Sequence, residues 1–447
     1  MRLIFLRSLY LHGSFFMVLA GIAVLYIIGY FLDPFFVAAK IGLGVFLLVL
    51  GADIYLLYFT GNNIISFVRE VPEKLSNGDN NKIKLYIKNN HFYAVRATII
   101  DEIPVQFQVR DFAMHIRMGP HSEKKLEYEL RPVRRGEYEF GKVNVYIRNT
   151  VGMVVRRFSF YTKPLPVPVY PSFLNIRKYE FLAISNRLTE AGIKKIRRLG
   201  HFHEFDQIRE YSRGDDIRLV NWKATAKRDK LMSNQYQDER SQQIYSIIDM
   251  GRAMKMPFDG MSLLDYAINS SLVLANIAIY KQDKAGLITF NTNINTFFPA
   301  ERRNNTVNKF LEILYKQETL FHESNFELLY ATLRQRVSHR SLLILYTNFE
   351  AYTSLERQIL FLQKLARYHL LMVVFFENTE ISKVLEEKAG SLEDVYIHTI
   401  ARKFVYDKQL IVKELQRHGI LSILTPPSEL TVNLINRYLE LKNRGMI

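Results

Sequence analysis

Two apolar runs at the start of the chain constrain it most. Ser14 to Leu32 is a stretch of nineteen residues without a charge, and Phe35 to Phe59 follows at once. Each is long enough to cross a hydrocarbon core of about 30 Å as a helix. Only Asp33 and Pro34 separate them, a pair suited to a tight turn between antiparallel helices. Arg2 and Arg7 precede the first run and Asp33 occupies the short loop, so the N-terminus is expected in the cytoplasm. Two crossings then return the chain from Gly61 onward to the same side. A cleaved signal peptide fits less well, because the first run is long for an h-region and a second follows directly. Lys40 and Asp53 lie inside the second run. Lys40 can snorkel from one end, and Asp53 is expected at the other interface or against a partner helix.

The 447 residues suffice for about three modules. An apolar content of 48% is ample for buried cores. The absence of Cys removes disulfides, cysteine nucleophiles and thiolate metal sites. A net charge of +16 is compatible with an acidic protein surface, a nucleic acid or an anionic leaflet. From Asn62 to Tyr170 the pattern becomes short β-type runs such as "KIKLYIKN" and "KVNVYIR", the latter placing Val143, Val145 and Ile147 on one face. This predicts an antiparallel sandwich of immunoglobulin-like size over 61–171. "KPLPVPVYP" reads as an extended linker at its end. Phe173 to Leu199 reads as a helix ending in the basic cluster "IKKIRR", and residues 172–240 as a linker and signature region.

From Ile244 strands and helices alternate. Strands are expected at Ile244–Asp249, Ala285–Phe290, Leu342–Thr347, Leu370–Phe376 and Leu421–Thr425. Helices are expected at Leu263–Tyr280, Val307–Tyr315, Phe326–Val337, Leu355–Arg367, around Lys408–Arg417, and at Leu430–Leu441. That order defines a doubly wound α/β sheet over 241–447, with a ligand site at the carboxyl ends of its strands. Asp249, Thr347 and Asn348 fall there. No GxxxxGK[ST] loop occurs and no GxGxxG follows a strand, which argues against nucleotide binding by those routes. "IKKIRR" lacks interleaved aromatics, so nucleic acid is not an expected partner.

Between the soluble regions lies "EFDQIREYSRGDDIRLVNWKATAKRDKL", followed by "DERSQQIYSIIDMGRAM". Its marked positions are Glu204, Phe205, Asp206, Arg209, Tyr211, Gly214, Asp215, Asp216, Arg218, Trp222 and Lys223. With "SHRSLLILYTNFE" and the closing "GILSILTPPSELTVNLINRYLELKNRG", this resembles the bacterial domain-of-unknown-function 58 family, and the likeness extends over nearly the whole chain. The resemblance implies a C-terminal von Willebrand factor A-like domain on a protein of the bacterial inner membrane. It also implies a MoxR-type AAA+ ATPase as partner and no established catalysis. Read physically, the mixed charges of the segment favour mutual pairing within a scaffold over a single-sign binding patch. Trp222 is expected to bury its ring beside the sheet. The Arg213–Asp215 tripeptide carries no adhesion meaning on a cytoplasmic face.

A-type domains that bind a divalent cation end their first strand in DxSxS, with hard oxygens as Mg²⁺ requires. Here the pattern is Asp249, Gly251 and Ala253, and both serine hydroxyls are missing. Ser324 is the nearest hydroxyl for the second loop, and Asn348 stands where an aspartate is expected in the third. Such a set binds Mg²⁺ weakly, so no cofactor is expected, and Arg252 is a candidate to pair with Asp249 in place of the cation. His201 and His203, with Glu204 and Asp206, lack a third convergent ligand. The leading expectation is a membrane-anchored adaptor with a degenerate metal site. The alternative is a metal-dependent ligand-binding or adhesion receptor. An enzyme using Asp249 as nucleophile is disfavoured, since Gly251 replaces the second acid of phosphotransferring aspartates and no nucleophile arrangement is recognisable.

Overall fold

The computed structural model describes residues 8–59, 65–161, 166–184, 192–193, 204–212, 217–237, 241–303, 305–319, 321–386 and 390–447. They fall into two compact units, Met1–Tyr170 and Pro171–Ile447. The first holds the apolar helices and a sheet-rich part; the second is α/β.

The first unit opens on a strand that the hydropathy pattern hides. β1 (Leu9–Leu11) precedes the helices and pairs antiparallel with β10 (Val154–Phe160). α1 (Gly13–Gly29) follows, 17 residues long, its first turn capped by the His12 ring accepting from the Ser14 amide. α2 (Asp33–Tyr58) has 26 residues and is long and apolar enough to cross a membrane. Met17, Ile27, Ile41 and Leu48 are exposed along the pair.

The last turns of α2 behave differently. Leu50, Ile54, Leu57 and Tyr58 pack into the β core. Tyr93 and Arg156 donate to the Leu56 and Leu57 carbonyls at 2.9 and 2.5 Å, satisfying acceptors that a helix end leaves unpaired. Asp53 is fully buried and accepts from the amides of Met153 and Val154, at 3.0 Å each. Through these two bonds it ties the helix to the start of β10. Asp53→Asn keeps one acceptor oxygen but loses the charge. It is expected to cost about 1 kcal/mol, read as a lower melting temperature of the full chain in detergent.

β2 (Ile65–Glu70), β4 (Asn81–Asn89) and β7 (Glu123–Leu130) form one antiparallel sheet. β1 and β10 join β9 (Val143–Arg148), β5 (Val95–Asp101) and β6 (Met114–Met118) in another. Alternation brings their apolar faces together: Ile83, Leu85 and Ile87 share a core with Val143, Val145 and Ile147. Inside it Asp101 accepts from Arg69 at 2.5 Å and Tyr128 at 2.6 Å. Burial pushes its carboxyl up and the Arg69 charge pulls it back.

The proline-rich stretch is more than a linker. Its end is β11 (Val167–Tyr170), set between β3 (Leu75–Ser76) and β8 (Gly136–Tyr138). Pro168 is tolerated because β3 pairs only with Val169 and Tyr170, leaving the proline with one neighbour.

In the second unit, α3 (Phe173–Ile184) covers the start of the helix expected to reach Leu199; Lys194, Lys195, Arg197 and Arg198 of "IKKIRR" lie outside the described residues. The signature region forms a hairpin of β12 (Glu204–Glu210) and β13 (Met232–Gln237), with the short helix α4 (Trp222–Arg228) between them. The main sheet runs β18-β17-β14-β19-β20-β21. Its strands are β14 (Gln243–Asp249), β17 (Lys284–Phe290), β18 (Ile294–Glu301), β19 (Leu342–Tyr346), β20 (Leu370–Phe376) and β21 (Leu421–Thr425). A two-residue pair, β15 (Pro257–Phe258) and β16 (Met261–Ser262), precedes the helix α5 (Leu263–Tyr280). All pairings in the main sheet are parallel except β17 with β18. β18 was not expected; as an antiparallel edge strand it carries Pro299 without a ladder to break on its outer side.

Both faces of this sheet are covered. Ile244, Ile248, Ile344 and Met372 point to the side of α5 and α12 (Leu430–Asn443). Tyr245, Ile247, Leu345 and Val373 point to the side of α7 (Phe326–Arg336), α9 (Ile359–Tyr368) and the end of α11 (Leu392–Arg417). α6 (Thr306–Tyr315), α8 (Tyr352–Glu356) and α10 (Thr379–Glu386) complete the helices. α5 is as apolar as a membrane span, yet it is mostly buried against the sheet. At the amino ends of the strands Asp283 holds the last helix: Lys442 and Tyr438 donate to its Oδ2 at 2.7 and 2.5 Å, and the Gln242 amide to its Oδ1 at 3.1 Å.

Candidate functional site

The strand order reverses direction of winding at β14, between β17 and β19, so the crevice beyond the carboxyl ends of β14 and β19 is the expected ligand position. Asp249 ends β14 there, 3% exposed. Its Oδ1 accepts from the Gly251 amide at 2.8 Å and from the Ser324 hydroxyl. Its Oδ2 accepts from the Thr347 hydroxyl at 2.6 Å. Burial pushes the carboxyl up, and the Ser324, Thr347 and Gly251 donors pull it back.

Gly251 is a packing requirement. A Cβ at this position would strike the Ser324 hydroxyl and lie 3.0 Å from Asp249 Oδ1 and 3.2 Å from the His322 carbonyl. The hydroxyl on Asp249 Oδ1 thus comes from Ser324, in the loop before α7, and a side chain at position 251 would require Ser324 to move. Ala253 lines the same small cleft, of about 80 Å³, with Asn348, Glu350 and Arg357. It brings no polar group.

Asn348 turns elsewhere. Lys408 of α11 donates to its Oδ1 at 2.7 Å. Desolvation pushes the Lys408 ammonium down to about 8, against the opposing charge of Glu350. Lys408 was not singled out in the sequence, although Phe404, Lys408, Ile411 and Leu415 recur at helical spacing and place it in line with buried Ile411 and Leu415. Arg252 does not take the place of a cation at Asp249. It pairs with Glu323 at 3.7 Å, and Arg357 pairs with the same carboxylate at 3.2 Å, both on the exposed rim.

Tested against a divalent cation, the cluster offers one buried carboxylate, whose two oxygens already accept three protein donors, and an amide oxygen engaged by an ammonium, while Glu323 and Glu350 line the cleft from exposed positions. Among the described residues no group of three or more His, Asp or Glu converges as metal ligands. The donor set does not fit Mg²⁺, which calls for several hard oxygens in octahedral array. His201 and His203 lie outside the described residues, as do the side chains of Glu204, Phe205 and Asp206.

Gly214, Asp215 and Asp216 lie outside the described residues. Arg209, Arg218 and Lys223 are exposed and Tyr211 half-buried. Trp222 corrects the expectation of a buried ring: it opens α4 with 68% of its surface exposed, behind an Asn221 side chain that caps the helix by accepting from the Ala224 amide. A seven-residue helix carried on a two-stranded hairpin has too little beneath it to bury an indole. Ile217, 71% exposed, lies in the same connection.

By fold and site, then, the second unit is an α/β domain with a carboxylate–hydroxyl cluster at its switch point. Residues 207–377 match the family described as "Protein of unknown function DUF58". That stretch holds most of the signature, Asp249 and Asn348, and is narrower than the whole-chain likeness read from the motifs. The uncharacterized protein YeaD of Bacillus subtilis (strain 168) is 25% identical over 126 residues, covering 28% of this chain. The match takes in 30% of that relative's length. Among solved structures, a PapD-like domain of human CEP192 matches with 15% identity over 22% of this chain and 82% of its own, at a TM-score of 0.17. Proximal thread matrix protein 1 from the mussel byssus matches with 10% identity over 46% of this chain and 48% of its own, at a TM-score of 0.26. Likenesses this distant carry no argument about the present chain.

Proposed function

We propose that this protein is a membrane-anchored adaptor that docks protein partners through its α/β unit, read as a von Willebrand factor A-like domain with a degenerate metal site. The observation that carries the docking role is the exposed Trp222, with Ile217 beside it in the chain, displayed on the signature hairpin. Exposed aromatic side chains flanked by charge are the usual anchors of protein interfaces. The strand order, with its antiparallel edge, and the Asp249–Ser324–Thr347 cluster support the A-type reading. The three protein donors on Asp249 support a role without a required ion or a nucleophilic carboxylate. The partner proposed is a MoxR-type AAA+ ATPase. Purification of the tagged full chain from native membranes with a non-hydrolysable ATP analogue tests this. Wild type is expected to retain the ATPase and Trp222→Ala to lose at least about 90% of it, a hot-spot effect of more than 1 kcal/mol. Absence of any AAA+ protein from the wild-type eluate counts against the reading.

Anchoring is proposed through α1 and α2, antiparallel in a bacterial inner membrane with both termini cytoplasmic. Support comes from their exposed apolar side chains and from the way β1 and the end of α2 both enter the same β unit. Seventeen helical residues, the length of α1, rise about 25 Å, close to the hydrocarbon thickness. A C-terminal alkaline phosphatase fusion is expected to be silent. Strong activity would place the α/β unit outside and favour a receptor.

A further inference from the structure

A cavity of about 420 Å³ opens beside the Asp249 cluster, beyond the carboxyl ends of β20 and β21. Leu263, Phe376, Leu424, Ile381 of α10 and Phe404 are among its apolar lining, Phe404 from an exposed position. This volume lies in the range of small-molecule sites. Asn348 is buried in that wall, and Lys408 and Asn378 are half-buried within it. The Lys408 ammonium has three N–H donors, and among the described residues its one hydrogen-bond acceptor is Asn348 Oδ1 at 2.7 Å. Glu350 and Glu377 also line the cavity, Glu350 from an exposed position and Glu377 from a half-buried one.

We infer that this cavity binds a small amphipathic monocarboxylate, its apolar body against Phe376, Leu424 and Phe404 and its carboxylate on the Lys408 ammonium. An ammonium on an apolar wall gains most from a charge-assisted partner that brings its own hydrocarbon. Asn348 holds the Lys408 side chain and leaves the other two N–H groups for the ligand. A cationic guest would meet that ammonium directly. The apolar walls are side chains rather than a strand edge, which suits a small molecule better than a peptide main chain. The binding stands apart from the adaptor role: it rests on Lys408 and the cavity, and Trp222 takes no part.

Octanoate is the probe, short enough to partition weakly into lipid, with 1-octanol as its uncharged counterpart. Binding to the full chain in nanodiscs is measured by titration calorimetry against empty nanodiscs. Octanoate is expected to bind saturably and 1-octanol about tenfold more weakly. Lys408→Met keeps the aliphatic stem and is expected to weaken octanoate about tenfold or more while leaving 1-octanol within about twofold. Leu424→Trp, which fills the cavity, should abolish both. Without any variant, octanoate is expected to slow acylation of the Lys408 amine in the wild-type chain, read by mass spectrometry of the peptide. Equal affinities for octanoate and 1-octanol, an unchanged Lys408→Met, or unprotected Lys408 would overturn the proposal. So would tighter binding of an acetylated peptide with an apolar C-terminal residue.

Discussion

Lys442→Met is expected to lower the stability of the α/β unit by about 3–5 kcal/mol, the usual cost of leaving one partner of a buried ion pair uncompensated. Lys442 donates to Asp283 at 2.7 Å and to the Lys281 carbonyl at 2.9 Å, with Asp283 only 1% exposed. The loss strands a carboxylate that also holds Tyr438 and the Gln242 amide. Urea unfolding followed by circular dichroism reads the change as a lower midpoint. Asp283→Leu combined with Lys442→Leu should recover only part of the loss, because Tyr438 and Gln242 remain without their acceptor. A midpoint within experimental error of wild type for the single variant would show that the pair is solvated in solution.

Gly251→Ser, the substitution that rewrites the turn toward a metal-binding pattern, is expected to destabilise by about 1–3 kcal/mol, the range of core overpacking, and to confer no tight Mg²⁺ binding. The new Cβ would collide with the Ser324 hydroxyl and crowd the Asp249 carboxylate. Adding Ser324→Gly removes the colliding group and should restore most of the melting temperature. A double-mutant cycle therefore gives a coupling of opposite sign to the single losses. If Gly251→Ser melts like wild type, the two hydroxyls do not compete for the same space, and the loss of the serine motif needs another cause.

How far the sequence carried depended on whether a signal was local. The parallel strands were legible because each is a run of apolar residues with its ends marked, as in Ile244–Asp249 against the observed Gln243–Asp249. Asp249 at the strand end was legible for the same reason. β1 was not, since three residues beside an apolar run have no period of their own, and their strand character comes from β10. β18 was hidden by Pro299, which is tolerated on an edge strand at a register shift of the β17–β18 ladder. α11 was read short because its first half exposes Leu392, Val395 and Tyr396, so no single apolar face announced it; the Ser391–Asp394 capping box marks where it starts. At the site, the partners of Asp249 and Asn348 are distant in sequence. Ser324 and Lys408 meet them only after the sheet is assembled. The exposure of Trp222 escaped the sequence because the ring was judged by residue type, whereas exposure is decided by the packing around it.

The short strand Leu9–Leu11 has a consequence for synthesis. It occupies the margin of its sheet, and the strand it pairs with leaves the ribosome only after both apolar helices and most of the β unit. Leu9–Leu11 must therefore wait for that partner while the helices find their place. Closing the strand afterwards fastens the helical loop at its base like a clasp, with Asp53 gripping the same strand β10 from the other side of the loop. A bulky N-terminal fusion would delay that clasp before it disturbed anything else.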